Sequence, residues 1–171
     1  MEIATIKLLV LATGLGAASL ATAFRTDDIP LEKQLDFWIG KWSVEDTTPG
    51  AKKALGTNNI ERLYGGKVIH ENFKMGTFEG QSWSVYNPQA KLWQQTWVDN
   101  GGGYIPMRST MVDGDLAIQT LSREAAPLVA SRMVFSDVKP NSFTWRWEAT
   151  KDGGKTWTLN WRLQYTRSKA P

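Results

Sequence analysis

From about residue 40 to 168 the chain alternates short runs of strand-forming residues with turn signals every ten to fourteen residues. That rhythm predicts an all-β sandwich or barrel. Period-two alternation is clearest in the last two runs. In one, Phe143, Trp145, Trp147 and Ala149 share a face, while Thr144, Arg146 and Glu148 share the other. In the next, Trp157, Leu159, Trp161, Leu163 and Tyr165 alternate with Thr158, Asn160, Arg162, Gln164 and Thr166. Each strand has one dry face and one wet face. A ladder of tryptophans on the dry face describes a sheet wrapped around something.

Ten strands are predicted, beginning near residues 41, 57, 67, 78, 91, 104, 115, 129, 142 and 155. Gly65-Gly66, Asp113-Gly114 and Asp152-Gly153-Gly154 can take the positive φ values that tight hairpins require. Asn87-Pro88 and Pro140-Asn141 fix further reversals. No connector between the strands is long enough to hold a crossover helix, so a single antiparallel up-and-down β-barrel is the simplest topology. A short helical turn over Pro30 to Phe37 would lead into the first strand.

The N-terminus follows a different pattern. In MEIATIKLLVLATGLGAASLATA, Lys7 precedes an apolar stretch from Leu8 to Leu20, and Ala21-Thr22-Ala23 supplies small residues at cleavage spacing. Residues 1–23 are therefore expected to be a signal peptide, 24–34 a lead, and 35–168 the barrel domain. An uncleaved anchor is the competing reading, but the run is short and rich in Ala, Gly and Thr. No cysteine follows to carry a lipid, so export to the periplasm or medium as a soluble protein is expected, with no stable membrane anchor after processing.

Composition narrows the chemistry. The 171 residues suit one domain. The absence of cysteine excludes disulfides, thiol nucleophiles and thiolate metal sites. The net charge of +3 permits an acidic partner, yet the basic residues are scattered and Lys52-Lys53 is the only adjacent pair, so no nucleic-acid partner is expected. Nine tryptophans are several times ordinary usage. His70, the only histidine, shares the wet parity of Val68, Asn72 and Lys74. Alone it cannot supply the three or four protein ligands of zinc, so neither metal nor cofactor is expected. No serine stands in a nucleophile-elbow setting.

Leu35-Asp36-Phe37-Trp38-Ile39-Gly40-Lys41-Trp42 carries a resemblance. A short helical lead followed by Gly-x-Trp at the start of the first strand resembles the opening of lipocalin-like (calycin) barrels. In those folds an arginine near the end of the last strand often stacks on that tryptophan. The resemblance implies that Arg167 does so on Trp42, a contact of roughly 0.5 to 2 kcal/mol. More closely, the mature chain resembles a bacterial calycin-like family catalogued as domain of unknown function 1579. This rests on Phe37-Trp38-Ile39-Gly40-x-Trp42, Tyr86-Asn87-Pro88, Trp93 to Asp99, Asp152 to Trp157 and Tyr165-Thr166-Arg167. It implies a barrel and brings no reaction with it. Thr150 to Trp157 also fits the Asp-box consensus of sialidase-like propellers, where the Asp pins a hairpin; a single copy reads as a turn device.

Parity nominates the lining: Gln81 and Trp83 with Val85, Trp93 with Gln95 and Trp97, then Trp145, Trp147 and Trp161. Glu71 travels with Ile69, Phe73 and Met75, one carboxylate among apolar neighbours. Burial disfavours its charged form and would raise its pKa. Alternatively it pairs with an interior arginine such as Arg108, satisfies indole donors, or is turned outward by a bulge. Gly101-Gly102-Gly103 and the Thr47 to Gly56 segment are candidate portal lids. The leading expectation is capture of a small apolar or aromatic ligand among these tryptophans, its polar atoms oriented by Glu71, Gln81 and Gln95. One alternative is an enzyme using Glu71 as general acid or base on a carbohydrate, ester or isomerisable molecule. The other is a protein-interaction or structural module with exposed tryptophans.

Overall fold

The hairpin signals fall where the chain reverses. The computed structural model describes residues 25–121 and 129–168. The strands are β1 (Gly40–Asp46), β2 (Leu55–Leu63), β3 (Val68–Met75), β4 (Phe78–Asn87), β5 (Leu92–Asp99), β6 (Tyr104–Val112), β7 (Asp115–Thr120), β8 (Ala130–Lys139), β9 (Ser142–Thr150) and β10 (Thr158–Arg167). Each pairs antiparallel with its sequence neighbour, and β1 pairs with β10 to close the barrel. Closure leaves no free sheet edge to manage. Gly65, Gly114, Gly153 and Gly154 take the positive φ that their turns demand. The expected signal peptide, residues 1–23, lies outside the described residues. Among those described, no helix is long and apolar enough to cross a membrane.

The lead is three short 3₁₀ turns, Thr26–Asp28, Leu31–Lys33 and Asp36–Trp38, where the sequence suggests one helical turn. Pro30 separates the first two and holds extended backbone between them. Together they plug one end of the barrel. Leu35 and Trp38 are fully buried, and Phe37 meets Phe135 and Phe143 edge-on, each at 5.5 Å. The Trp93 indole N–H donates to the Leu31 carbonyl at 2.8 Å, and that of Trp42 to the Trp38 carbonyl at 2.8 Å.

Closure brings Trp42 opposite Arg167 in the β1–β10 register. The guanidinium lies 4.2 Å above the indole centroid. It also donates to the carbonyls of Ile39 (2.9 Å), Pro140 (3.0 Å) and Phe37 (3.3 Å). One side chain thus ties the lead, β1, the β8–β9 turn and the last strand together. A Cβ on Gly40 would overlap that guanidinium, which accounts for the glycine before Lys41-Trp42.

Two placements differ from the alternation. Register slips between Leu159 and Trp161, so Leu159 pairs with Glu148 and faces outward. Trp157, expected on the dry face, lies under the Arg132 guanidinium at 3.8 Å on the outer side. The extra residue, Asn160, is a bulge that Thr47 and Thr48 stitch down: the Thr47 N–H donates to the Arg162 carbonyl at 2.8 Å, and the Arg162 N–H to Thr48 Oγ1 at 2.8 Å. The first two residues of the Thr47 to Gly56 segment are thereby fastened to β10, and its last two, Leu55 and Gly56, pair with β1. In β4 the parity is inverted. Gly80, Ser82 and Ser84 are buried, while Trp83 and Val85 are exposed.

Candidate functional site

The barrel interior is built in three storeys. Beside the plug, Trp42, Ile60, Ile69, Leu116, Phe135 and Phe143 pack it solid. Above them lies a polar layer supplied by the neighbouring strands β2 to β5. Glu71 of β3 accepts from Asn58 Nδ2 of β2 at 2.7 Å and from Ser82 Oγ of β4 at 2.6 Å. Asn58 Nδ2 also donates to the Tyr165 hydroxyl at 3.2 Å. Gln95 Nε2 of β5 donates to Ser84 Oγ at 2.9 Å and Ser82 Oγ at 3.2 Å. The β3–β4–β5 register sets Glu71 against Ser82 and Gln95 against Ser84, so small hydroxyls meet the two long polar side chains.

Above that layer a cavity of about 220 Å³ remains open. Its floor includes Glu71 and Tyr165; its walls include Phe73, Phe78, Trp97, Trp145, Trp147 and Trp161, with Ile105, Met107 and Met133 on the β6–β8 side. Trp145 and Trp147 stack at 6.2 Å with 6° between planes, and Trp161 stands edge-on to Trp145 at 5.6 Å. Trp97 lies directly over Gly80, where any Cβ would overlap its ring. A larger recess of about 760 Å³ is an open trough on the outer face of β1–β5, edged by Lys41, Asn59, Asn72, Lys74 and Gln81. The smaller, interior space is the one with convergent apolar walls and a polar end, the pattern of a small-molecule site.

Burial pushes the Glu71 carboxyl above its ordinary pKa, against the opposing pull of the Ser82 and Asn58 hydrogen bonds. Among the described residues no lysine or arginine pairs with it, and the neighbouring His70 adds only a smaller opposing pull. Arg108, the partner considered for it, is exposed on the outer face of β6 opposite Gln94 and Gln119. Burial, and then the proximity of Glu71, raise the Tyr165 hydroxyl. Asp99 at the cavity rim behaves oppositely. It accepts from the Gly103 N–H (3.0 Å), the Trp97 indole N–H (2.8 Å) and the Gly101 N–H (2.9 Å), which hold its pKa below the usual carboxylate value. The triple-glycine connector is thus clasped by Asp99, not a free lid, and a Cβ on Gly103 would overlap that carboxylate. Asp152 likewise accepts from Thr156 and Thr150, with its pKa drawn down to about 2, and pins the β9–β10 turn.

The structure brings Glu71, Trp97, Trp145, Trp147 and Trp161 to the cavity wall. Trp93 is buried below it against the plug, and Gln95 is sealed in the polar layer. Trp83 and Gln81 require correction. Both face outward, where Trp83 stacks on His70 at 5.1 Å and Gln81 Oε1 lies 3.2 Å from His70 Nε2. Their inward positions belong to Gly80, Ser82 and Ser84, because a large side chain there would collide with Trp97 or deprive Glu71 and Gln95 of donors and acceptors. Four contributors, Phe73, Tyr165, Asn58 and Asp99, are not among the site residues that the sequence nominates. Phe73 and Tyr165 were signalled by dry-face parity, and Asn58 by its parity with Ile60. Asp99 had no such signal. Among the described residues no group of three His, Asp or Glu is placed to hold a metal ion.

No protein-family model matches the sequence, and no curated protein matches it. Among solved structures the chain is similar to the S-type phycobiliprotein lyase CPES from Guillardia theta. The match has a TM-score of 0.53 and 12% identity, and it covers 85% of this chain and 97% of that one. At that identity the likeness is one of fold, a lipocalin-like barrel.

Proposed function

We propose that the protein is an exported carrier that takes a small, largely apolar or aromatic molecule into the upper half of its barrel. One observation carries this reading: a cavity of about 220 Å³ with aromatic walls above a polar floor, in a barrel whose other half is packed. An engineered cavity of about 150 Å³ accepts benzene, so this space suits one ring with a short substituent. Each methylene buried there contributes about 0.8 kcal/mol, which makes micromolar affinity reachable by burial alone. Asp99, the other carboxylate on the wall, spends its oxygens on backbone and indole donors, which favours holding a ligand over turning one over.

Export belongs to the same proposal and rests on the Lys7, Leu8 to Leu20 and Ala21-Thr22-Ala23 pattern, with residues 1–23 as signal, 24–34 as lead and 35–168 as the barrel domain. So does membership of the calycin-like family catalogued as domain of unknown function 1579, supported by the opening and closing motifs that meet in the Trp42–Arg167 stack. The test is native mass spectrometry of protein purified from its own host, with tryptophan quenching against a library of small aromatic and lipid compounds. A bound mass near that of a one-ring molecule is expected. Unliganded protein that no class of compound quenches would refute the carrier reading.

A further inference from the structure

The cavity is electrostatically one-sided. Its described lining carries two carboxylates, Glu71 and Asp99, and no lysine, arginine or histidine. Asp46 stands just behind the wall, accepting from the Trp161 indole N–H at 3.0 Å as Asp99 does from Trp97. Two of the four cavity indoles therefore spend their only donor, which lies in the ring plane, on an acid, and have no N–H left to offer the space. A carboxylate on the N–H polarises the indole and enriches its face in electrons. Such faces attract cations, tryptophan most strongly.

The floor agrees with the walls. Glu71 receives one donor on each oxygen, and each oxygen keeps a further acceptor site. The Tyr165 hydroxyl stands beside it as a third oxygen. An ammonium group has three donors and no acceptor, matching a pocket end rich in acceptors. An anion would meet two carboxylates with no counter-charge, and a neutral apolar ligand would leave Glu71 without the partner that burial denies it. Burial disfavours the Glu71 charge in the empty barrel, and an ammonium group set against it supplies the opposite charge that offsets that penalty.

We propose that the cavity selects a small arylalkyl ammonium ion, its ring among Trp97, Trp145 and Trp161 and its ammonium against Glu71. This rests on the carrier reading and names the class of cargo. The volume of about 220 Å³ accommodates one ring on a two- or three-atom chain.

The test uses three size-matched probes on the full chain at pH 7.5: 2-phenylethylamine, 2-phenylethanol and 3-phenylpropionate, followed by tryptophan fluorescence and titration calorimetry. The amine should bind about tenfold or more tighter than the alcohol, and the carboxylate more weakly than either. Glu71→Gln should abolish the preference, so that within the variant the amine binds no tighter than the alcohol. If the alcohol or the carboxylate binds as tightly as the amine, the cation selectivity is wrong and the pocket stands. If none of the three binds and no library compound quenches, the carrier reading falls and this proposal with it. Should Glu71→Gln fail to fold, the wild-type ranking of the three probes decides the matter by itself.

Discussion

Glu71→Gln in the empty protein tests whether the polar floor is dry. The wild-type carboxyl is buried, and that burial outweighs the pull of its two neutral donors and of the neighbouring His70, so its pKa stands above the ordinary value in the fold, while the unfolded chain titrates normally. Below the ordinary pKa both states hold the proton, and the stabilising contribution is fully present. As pH rises beyond it, the unfolded chain loses its proton while the fold keeps one. Stability then falls by about 1.4 kcal/mol per pH unit until the buried group ionises. Glutamine does not titrate. The variant should therefore gain on the wild type with that slope from about pH 4.5 upward. Asp46, Asp99 and Asp152 titrate in both proteins and cancel in the difference. The glutamine oxygen can keep the Asn58 Nδ2 donor while its amide N–H donates to Ser82 Oγ, so both hydrogen bonds of the floor have a counterpart in the variant. Urea unfolding followed by tryptophan emission at pH 4, 5, 6 and 7 reads the difference directly. A difference that stays flat across that range would refute the reasoning, because it would mean that water or a cation already reaches Glu71.

Two further substitutions probe the frame. Gly80→Ala places a methyl group where the Trp97 ring lies, so it should cost about 1–3 kcal/mol and reduce the near-ultraviolet circular dichroism of the cavity indoles; a loss below about 0.5 kcal/mol in urea would contradict that packing. Arg167→Lys keeps the charge but loses the planar fork that serves Ile39, Phe37 and Pro140 at once, so a loss of about 2–3 kcal/mol is expected in thermal unfolding, and an unchanged Tm would contradict the clasp.

The strand positions were legible because turn chemistry is local. Gly65-Gly66, Asp113-Gly114 and Asp152-Gly153-Gly154 declare their reversals without reference to the rest of the chain. Parity was legible where the larger apolar residue faces inward, as in Trp145 and Trp147 of β9 and in Ile69 and Phe73 of β3, which carry Glu71 inward between them. It failed in β4, because the rule takes Trp83 and Val85 to be core. The inner positions there are narrowed by Trp97 crossing from β5, a neighbour that only register supplies. The bulge at Asn160 carries no glycine or proline to announce it; its cause is Thr47 and Thr48, more than a hundred residues earlier. The cavity itself was not legible. Whether indoles of successive strands fill a space or surround it depends on volumes that alternation does not encode.

The Arg167 clasp has a consequence for how such a chain is made. It donates to a carbonyl 128 residues upstream, and β1 has its second partner only in β10. A chain still emerging from the ribosome can form hairpins one after another, yet it cannot seal the cylinder until β10 is free to meet β1. Long-range closure of this kind slows folding, because loop entropy is spent before the last contacts repay it. Until that moment an unpaired first strand and several indoles stand open to other chains, so the last strand acts as the latch between a sticky intermediate and a finished vessel.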